Sequence, residues 1–171
     1  MYNRIIKIVL AALSLSWAVY QFIEGNIGTG IWFVLLSALI VLFIFKNEHI
    51  MLAFWYLRKN NMPKAKIAIG RIKHPEKLLK SQEAYYYYLT GLAESQSAGV
   101  GKSEKYFKRA LSIGLRMKND QAVAKLNLAA IAMYKRRKRE ATHLLNEAKK
   151  LDKHNMLTDQ IKQLKDQLKR I

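Results

Sequence analysis

Gly99-Val100-Gly101-Lys102-Ser103 is the stretch whose residue types could do chemistry. In a phosphate-binding loop, backbone amides of a glycine-rich turn cradle phosphates, a lysine reaches them and a serine hydroxyl holds Mg²⁺. The complete motif needs a first glycine where this chain has Gln96, a preceding strand, and an apolar strand ending in Asp elsewhere. None of Asp120, Asp152, Asp159 or Asp166 follows such a run. Glu140-x-x-His143 has the spacing of a helical metal-ligand pair, but those sites use a second copy that this chain does not contain. His49, His74 and His154 are scattered, and spacing alone assembles no Ser/His/Asp set. With no cysteine there is no disulfide, thiolate metal site or thiol nucleophile. The expectation is a chain that is not an enzyme and uses no cofactor or metal.

The elements around these residues explain more. From Ile8 to Ile23 there is no charged side chain, and after Glu24-Gly25-Asn26 a second uncharged run extends from Ile27 to Phe45. About 20 apolar residues cross a bilayer core of about 30 Å. The pattern predicts a membrane anchor over 1–46, with two transmembrane helices at about 5–23 and 27–45 joined by the Gly-rich segment 24–30. A cleaved signal peptide is the alternative, and "SLSWA" is a poor cleavage site for it. Arg4, Lys7 and Lys46 flank the pair while the connecting loop has no Lys or Arg, which predicts cytoplasmic termini at a bacterial-type inner membrane. A domain outside the cytoplasm is the competing topology. Three of the 30 basic and one of the 12 acidic residues fall in 1–46, leaving +16 of the total +18 behind the anchor. Such a domain is drawn to anionic lipid.

Past Phe45 the pattern becomes amphipathic and helical, and it repeats at a shift of 38. Ala53, Gly91 and Ala129 align, followed by Ala65, Ser103 and Ala141, then Ile69, Phe107 and Leu145, then Ile72, Ala110 and Ala148. Small residues on two helices let their backbones approach, and a bulky one a turn later fills the gap. In this register GVGKS is the turn between the two helices of the second unit.

"YYYYLTGLAES" with "SEKYFKRAL", "LNLAAIAMY" with "EATHLLNEA", and "MLAFWYLRKN" with "KAKIAIGRI" resemble the helix–turn–helix unit of the tetratricopeptide repeat. The resemblance covers about 47–155 as units 47–80, 84–117 and 122–155, each about a turn longer than the usual unit of about 34 residues. Thr90 and Glu94 depart from the pattern where large apolar residues would stand. The implied fold class is all-α: a transmembrane helical hairpin, an α-solenoid of three helix pairs, and a capping helix over 156–171. In the family the first helices line a groove that accepts peptides. By register that groove comprises Ile50, Phe54, Leu57, Tyr85, Tyr88, Leu92, Val123, Leu126, Met133 and Tyr134. The implied role is a membrane-anchored scaffold that binds a protein partner and tethers or helps assemble a membrane complex.

Leu157, Ile161, Leu164, Leu168 and Ile171 form a stripe that covers the last unit or pairs with a second copy as a homo-oligomer. Lys135-Arg136-Arg137-Lys138-Arg139 is the sharpest charge feature and predicts contact with an anionic surface. Anionic lipid is one candidate there. Nucleic acid or a ribosome is the alternative partner, ranked below protein because few aromatics accompany the cations.

Overall fold

The computed structural model describes residues 2–45, 47–95 and 100–170. Among them the chain is all helical, with no strand, and it divides into two units, 1–48 and 49–171.

The first unit contains α1, Tyr2–Ile23, and α2, Ile27–Phe45, packed side by side. Ser37 Oγ donates to the Ala11 carbonyl at 3.2 Å and Ser14 Oγ to the Phe33 carbonyl at 3.1 Å. A Cβ added to Gly30 would lie 2.8–2.9 Å from the Phe22 ring, so this glycine is what admits the ring. Ala11, Ala18, Gly30 and Ser37 are buried, whereas Leu13, Trp17, Val19, Ile31, Trp32, Leu35 and Leu39 are exposed. Small side chains face inward and large apolar ones outward, the reverse of a water-soluble helix pair. Ile5–Ile23 is long and apolar enough to cross a membrane, a property shared with signal sequences, and Ile27–Leu42 is a shorter apolar helix.

The second unit runs through α3, Glu48–Arg58; α4, Met62–Gly70; α5, Lys80–Ser95; α6, Val100–Ile113; α7, Lys118–Tyr134; α8, Lys138–Leu151; and α9, Thr158–Lys169. A 3-10 turn at Pro75–Lys77 links α4 to α5. The helices α4, α6 and α8 begin at 62, 100 and 138, and α5 and α7 at 80 and 118, all in steps of 38. These starts place the second and third units about four residues earlier than 84 and 122. Packing is sequential: α5 on α6, α7 on α8, with α4 against α5, α6 against α7 and α8 against α9.

All twelve residues of the 38-residue register are buried. Phe107 shows why the small residues matter: it is fully enclosed, and a Cβ on Gly91 would stand 3.0 Å from its ring. The turns repeat as well. Asn60 N–H donates to the Leu57 carbonyl at 2.9 Å and Asn61 N–H to that of Tyr56 at 2.8 Å. Arg136 and Arg137 make the same two bonds to Met133 and Ala132, at 2.9 and 2.8 Å. Both are Schellman C-caps, and Asn60 and Arg136 each sit at φ 57°, where glycine or asparagine is favoured. Asn61 caps α4 by accepting from Lys64 N–H at 3.3 Å, with Pro63 in the first turn.

The C-terminal stripe is covered by its own chain up to Leu168, and Ile171 lies outside the described residues. Leu157, Ile161 and Leu168 are buried with Leu126, Met133 and Leu145, and Leu164 packs alongside. Buried Asp152 fixes this helix, its carboxylate accepting from Met156 N–H at 3.0 Å and Leu157 N–H at 2.7 Å.

Gly91→Leu forces a side chain into the Phe107 ring and is expected to destabilise by at least about 1–3 kcal/mol. Gly101→Ala, with nothing within 4 Å of the added Cβ, is expected to be neutral or slightly stabilising. Thermal melts of the full chain in detergent micelles, followed by far-UV circular dichroism, compare the two.

Candidate binding surface

Four consecutive tyrosines on α5 are spread around the helix at about 100° per residue, so each does different work. Tyr88 points inward and is buried, edge-on to Phe107 with ring centroids 6.4 Å apart. Tyr87 stacks on Tyr106 of α6 at 6.3 Å, and Arg109 lies 5.8 Å over its ring. Tyr85 meets Phe54 of α3 at 6.0 Å and Tyr88 at 6.2 Å. A line of aromatic rings thus runs from partly exposed Phe54 on α3 into the core beneath α5.

Tyr85 also donates its hydroxyl to Asp120 Oδ2 of α7 at 2.7 Å, tying two successive modules. Burial, then the Asp120 carboxylate, pushes the Tyr85 hydroxyl up to about 12. Burial holds the Asp120 carboxyl above its ordinary range, opposed by the Tyr85 hydrogen bond. The Tyr85 hydroxyl therefore keeps its proton at neutral pH and donates it to Asp120.

The residues expected in a groove divide by burial. Ile50, Tyr88, Leu126 and Met133 are buried and serve as packing residues. Leu57, Tyr85, Leu92 and Val123 are half-buried at the edge of the core. Phe54 and Tyr134 are exposed, Tyr134 at 77%. The accessible part of the α3, α5 and α7 face is thus Phe54, with Leu57, Tyr85, Leu92 and Val123 at its half-buried edge. Tyr134 belongs instead to an open cleft of about 410 Å³ lined by Ala130, Met133, Leu164, Gln167 and Arg170 at the join of α7 and α9. Thr90 and Glu94 are accommodated by local polar partners. Thr90 Oγ1 donates to the Tyr86 carbonyl at 2.7 Å, and Glu94 lies 3.8 Å from Lys66 Nζ of α4.

The GVGKS segment is not wholly a turn. Ser97, Ala98 and Gly99 lie outside the described residues, but α6 already begins at Val100, so Gly101, Lys102 and Ser103 belong to its first turn. Ser103 is buried at the helix crossing and Lys102 is exposed. In the Glu140/His143 pair, Glu140 faces Arg137 at 3.4 Å and Lys108 at 3.9 Å, and His143 faces Glu147 at 3.4 Å.

The five residues of the basic run are all exposed, but two of them have ion-pair partners on α6. Glu104 of α6, 13% exposed, receives Lys108 at 2.6 Å, Lys135, and Arg137 at 3.8 Å. Hydrogen bonds from Lys108 and Lys135 lower its carboxyl from 4.5 to about 2. Lys135 and Arg137 thus clasp α6 to the α7–α8 turn, while Arg136 lines a neighbouring cleft with Tyr134 and Arg170. Arg136, Lys138 and Arg139 are exposed. Glu104 and Arg170 were missed in the sequence. Glu104 is the one carboxylate among four cations of α6, which is a weak signal, since its partner Lys135 is 31 positions away.

Because the folded Glu104 carboxyl titrates below its unfolded value, its contribution to stability is complete above about pH 4.5. It is lost as pH falls towards about 2. Glu104→Gln is expected to lower the unfolding midpoint at pH 7, with the gap from the parent chain closing between those two values. Denaturant titrations across that range check this.

No family model, no curated protein and no solved structure matches this chain.

Proposed function

We propose that the chain is a membrane-anchored scaffold, in which α1 and α2 form a transmembrane hairpin and α3–α8 an α-solenoid of tetratricopeptide type capped by α9. Its work is binding and tethering. A protein partner lies along Phe54, Tyr85, Leu92 and Val123, and confinement to the membrane raises its effective concentration where a complex is assembled.

The observation that carries this reading is the contrast between the two packing styles. Behind residue 48 the large apolar residues Phe107, Leu89 and Leu145 are fully enclosed, as water demands. In α1 and α2 the large ones are outside and the small ones inside, with serine hydroxyls bonded across the pair. Close approach through small residues and interhelical serine bonds is how helices associate in lipid, where burying a leucine gains nothing. The charge flanking the pair orients both termini, and the solenoid with them, to the cytoplasmic face of an inner membrane.

A second reading rests on Tyr134, Arg136 and Arg170, which share one cleft and could hold a nucleic acid or ribosomal phosphate. Salt separates the two. Phosphate contacts weaken steeply as salt rises, and apolar contacts do not.

The test is retention of a co-purified partner by the full chain in gentle detergent at low and high salt. The scaffold reading expects binding to survive salt, to be lost in Phe54→Ala/Val123→Lys, and to persist in Arg136→Gly. The last change relieves a left-handed arginine, so any loss there is not unfolding. Binding that vanishes with salt and with Arg136→Gly, yet tolerates the α3/α7 changes, supports the second reading.

A further inference from the structure

We propose that the face formed by Met51, Leu52 and Trp55 of α3 with Ile67 of α4 rests in the headgroup layer of an anionic phospholipid bilayer. The inference rests on the membrane reading of α1 and α2.

These four side chains are 40–59% exposed, whereas Leu79, Met117, Tyr134 and Met156, also exposed, are scattered along the rest of the unit's sequence. On a helix turning 100° per residue, positions 51, 52, 55 and 59 fall within a sector of about 100°. Three apolar side chains therefore share one face of α3, and Lys59, one residue past its end and still donating its N–H to the Trp55 carbonyl at 3.1 Å, continues it. Lys59 Nζ sits 4.0 Å from the centroid of the Trp55 ring. Tryptophan with a snorkelling lysine is the side-chain pairing suited to the boundary between hydrocarbon and water.

Ile67 joins this face through an open cleft of about 230 Å³ whose lining is Leu52, Tyr56, Ile67 and Ala68, with Lys64 and Arg71 beside them. An apolar floor with cationic lips matches the glycerol region and phosphate of a lipid. Past Glu48, which opens α3, the charge is one-sided: residues 49–75 contain six Lys and Arg and no Asp or Glu. Lys66 of that set faces Glu94, leaving the remaining cations to face headgroups.

Chain reach keeps the start of α3 close to the end of α2. The helix α2 ends at Phe45 and α3 begins at Glu48, a span of at most about 11 Å. If α2 ends at the hydrocarbon boundary, the first turn of α3 lies within or just beyond a headgroup layer that is itself about 5–8 Å deep. An amphipathic helix with Trp and Leu on one face and Lys and Arg around it lies in that plane. A protein partner on this face is the competing occupant.

Single-tryptophan variants of the full chain test this in vesicles of phosphatidylcholine and phosphatidylglycerol. Trp17→Phe/Trp32→Phe reports Trp55, and Trp32→Phe/Trp55→Phe reports Trp17. Each is exposed to iodide in the water and to nitroxide lipids labelled near the headgroup or deep in the chain. The expected result is Trp55 emission shifted to the blue, shielded from iodide and quenched most by the shallow nitroxide. That signal should weaken when phosphatidylglycerol is omitted, or in Met51→Ser/Leu52→Ser with helicity unchanged. Trp55 open to iodide and untouched by nitroxide, while Trp17 is quenched by the deep label, overturns this inference and leaves the transmembrane reading standing. Trp55 shielded from both quenchers, as under a protein cover, overturns it equally. Trp17 unquenched by either nitroxide removes the membrane reading itself.

Discussion

Two helix backbones can lie close only where the side chains between them are small, and every other feature of the second unit follows from obeying that constraint once per 38 residues. Ala53, Gly91 and Ala129 on the first helices and Ala65, Ser103 and Ala141 on the second helices are all buried. Ile69, Phe107 and Leu145 occupy the equivalent place one turn later. The Gly91–Phe107 contact shows the tolerance: one added carbon would come within 3.0 Å of the ring. The same device joins α1 to α2 through Ala11, Ala18, Gly30 and Ser37, but there, apart from the Phe22 ring against Gly30 and Trp17 beside Phe33, most bulky residues are exposed. One chain thus uses small residues in two ways, with bulky plugs in one unit and bulky exteriors in the other.

The strong positive charge of the surface has a structural origin as well as a compositional one. The carboxylates behind residue 48 are largely committed to joints between helices. Glu83 reaches Arg109 across α5 and α6, Glu94 reaches Lys66 across α5 and α4, and Glu147 reaches Lys125 across α8 and α7. Glu104 gathers cations from its own helix and the α7–α8 turn, and Asp152 holds the start of the last helix. The more exposed of these pairs contribute little each, about 0–1 kcal/mol. Their effect is on distribution: with the acids turned to the joints, the excess of lysine and arginine is left to face outward.

Much of the fold was legible because it repeats. The twelve crossing positions and the stripe at 157, 161 and 168 all follow from spacing. Three things were not legible. The helix α3 has 11 residues, against 16 in α5 and 17 in α7, because 42–45, where the register would start it, belong to α2. The division of the expected groove into buried Ile50, Tyr88, Leu126 and Met133 and accessible Phe54 depends on how far each helix rotates against its neighbour, which periodicity fixes only coarsely. The splitting of Lys135–Arg139 depends on Glu104, and a partner so far along the chain leaves no local trace.

The measurement that bears most directly on the 38-residue module is the stability of a chain in which residues 80–117 are duplicated in tandem. Each module contacts chiefly its neighbours, so an added one extends the stack without disturbing it. The account predicts unchanged helicity per residue and a single cooperative melt at or above the parent temperature. A duplication of 82–117, two residues shorter, breaks the register and is expected to melt lower and broadly. Equal loss of structure in both duplications, or equal tolerance of both, would contradict the module.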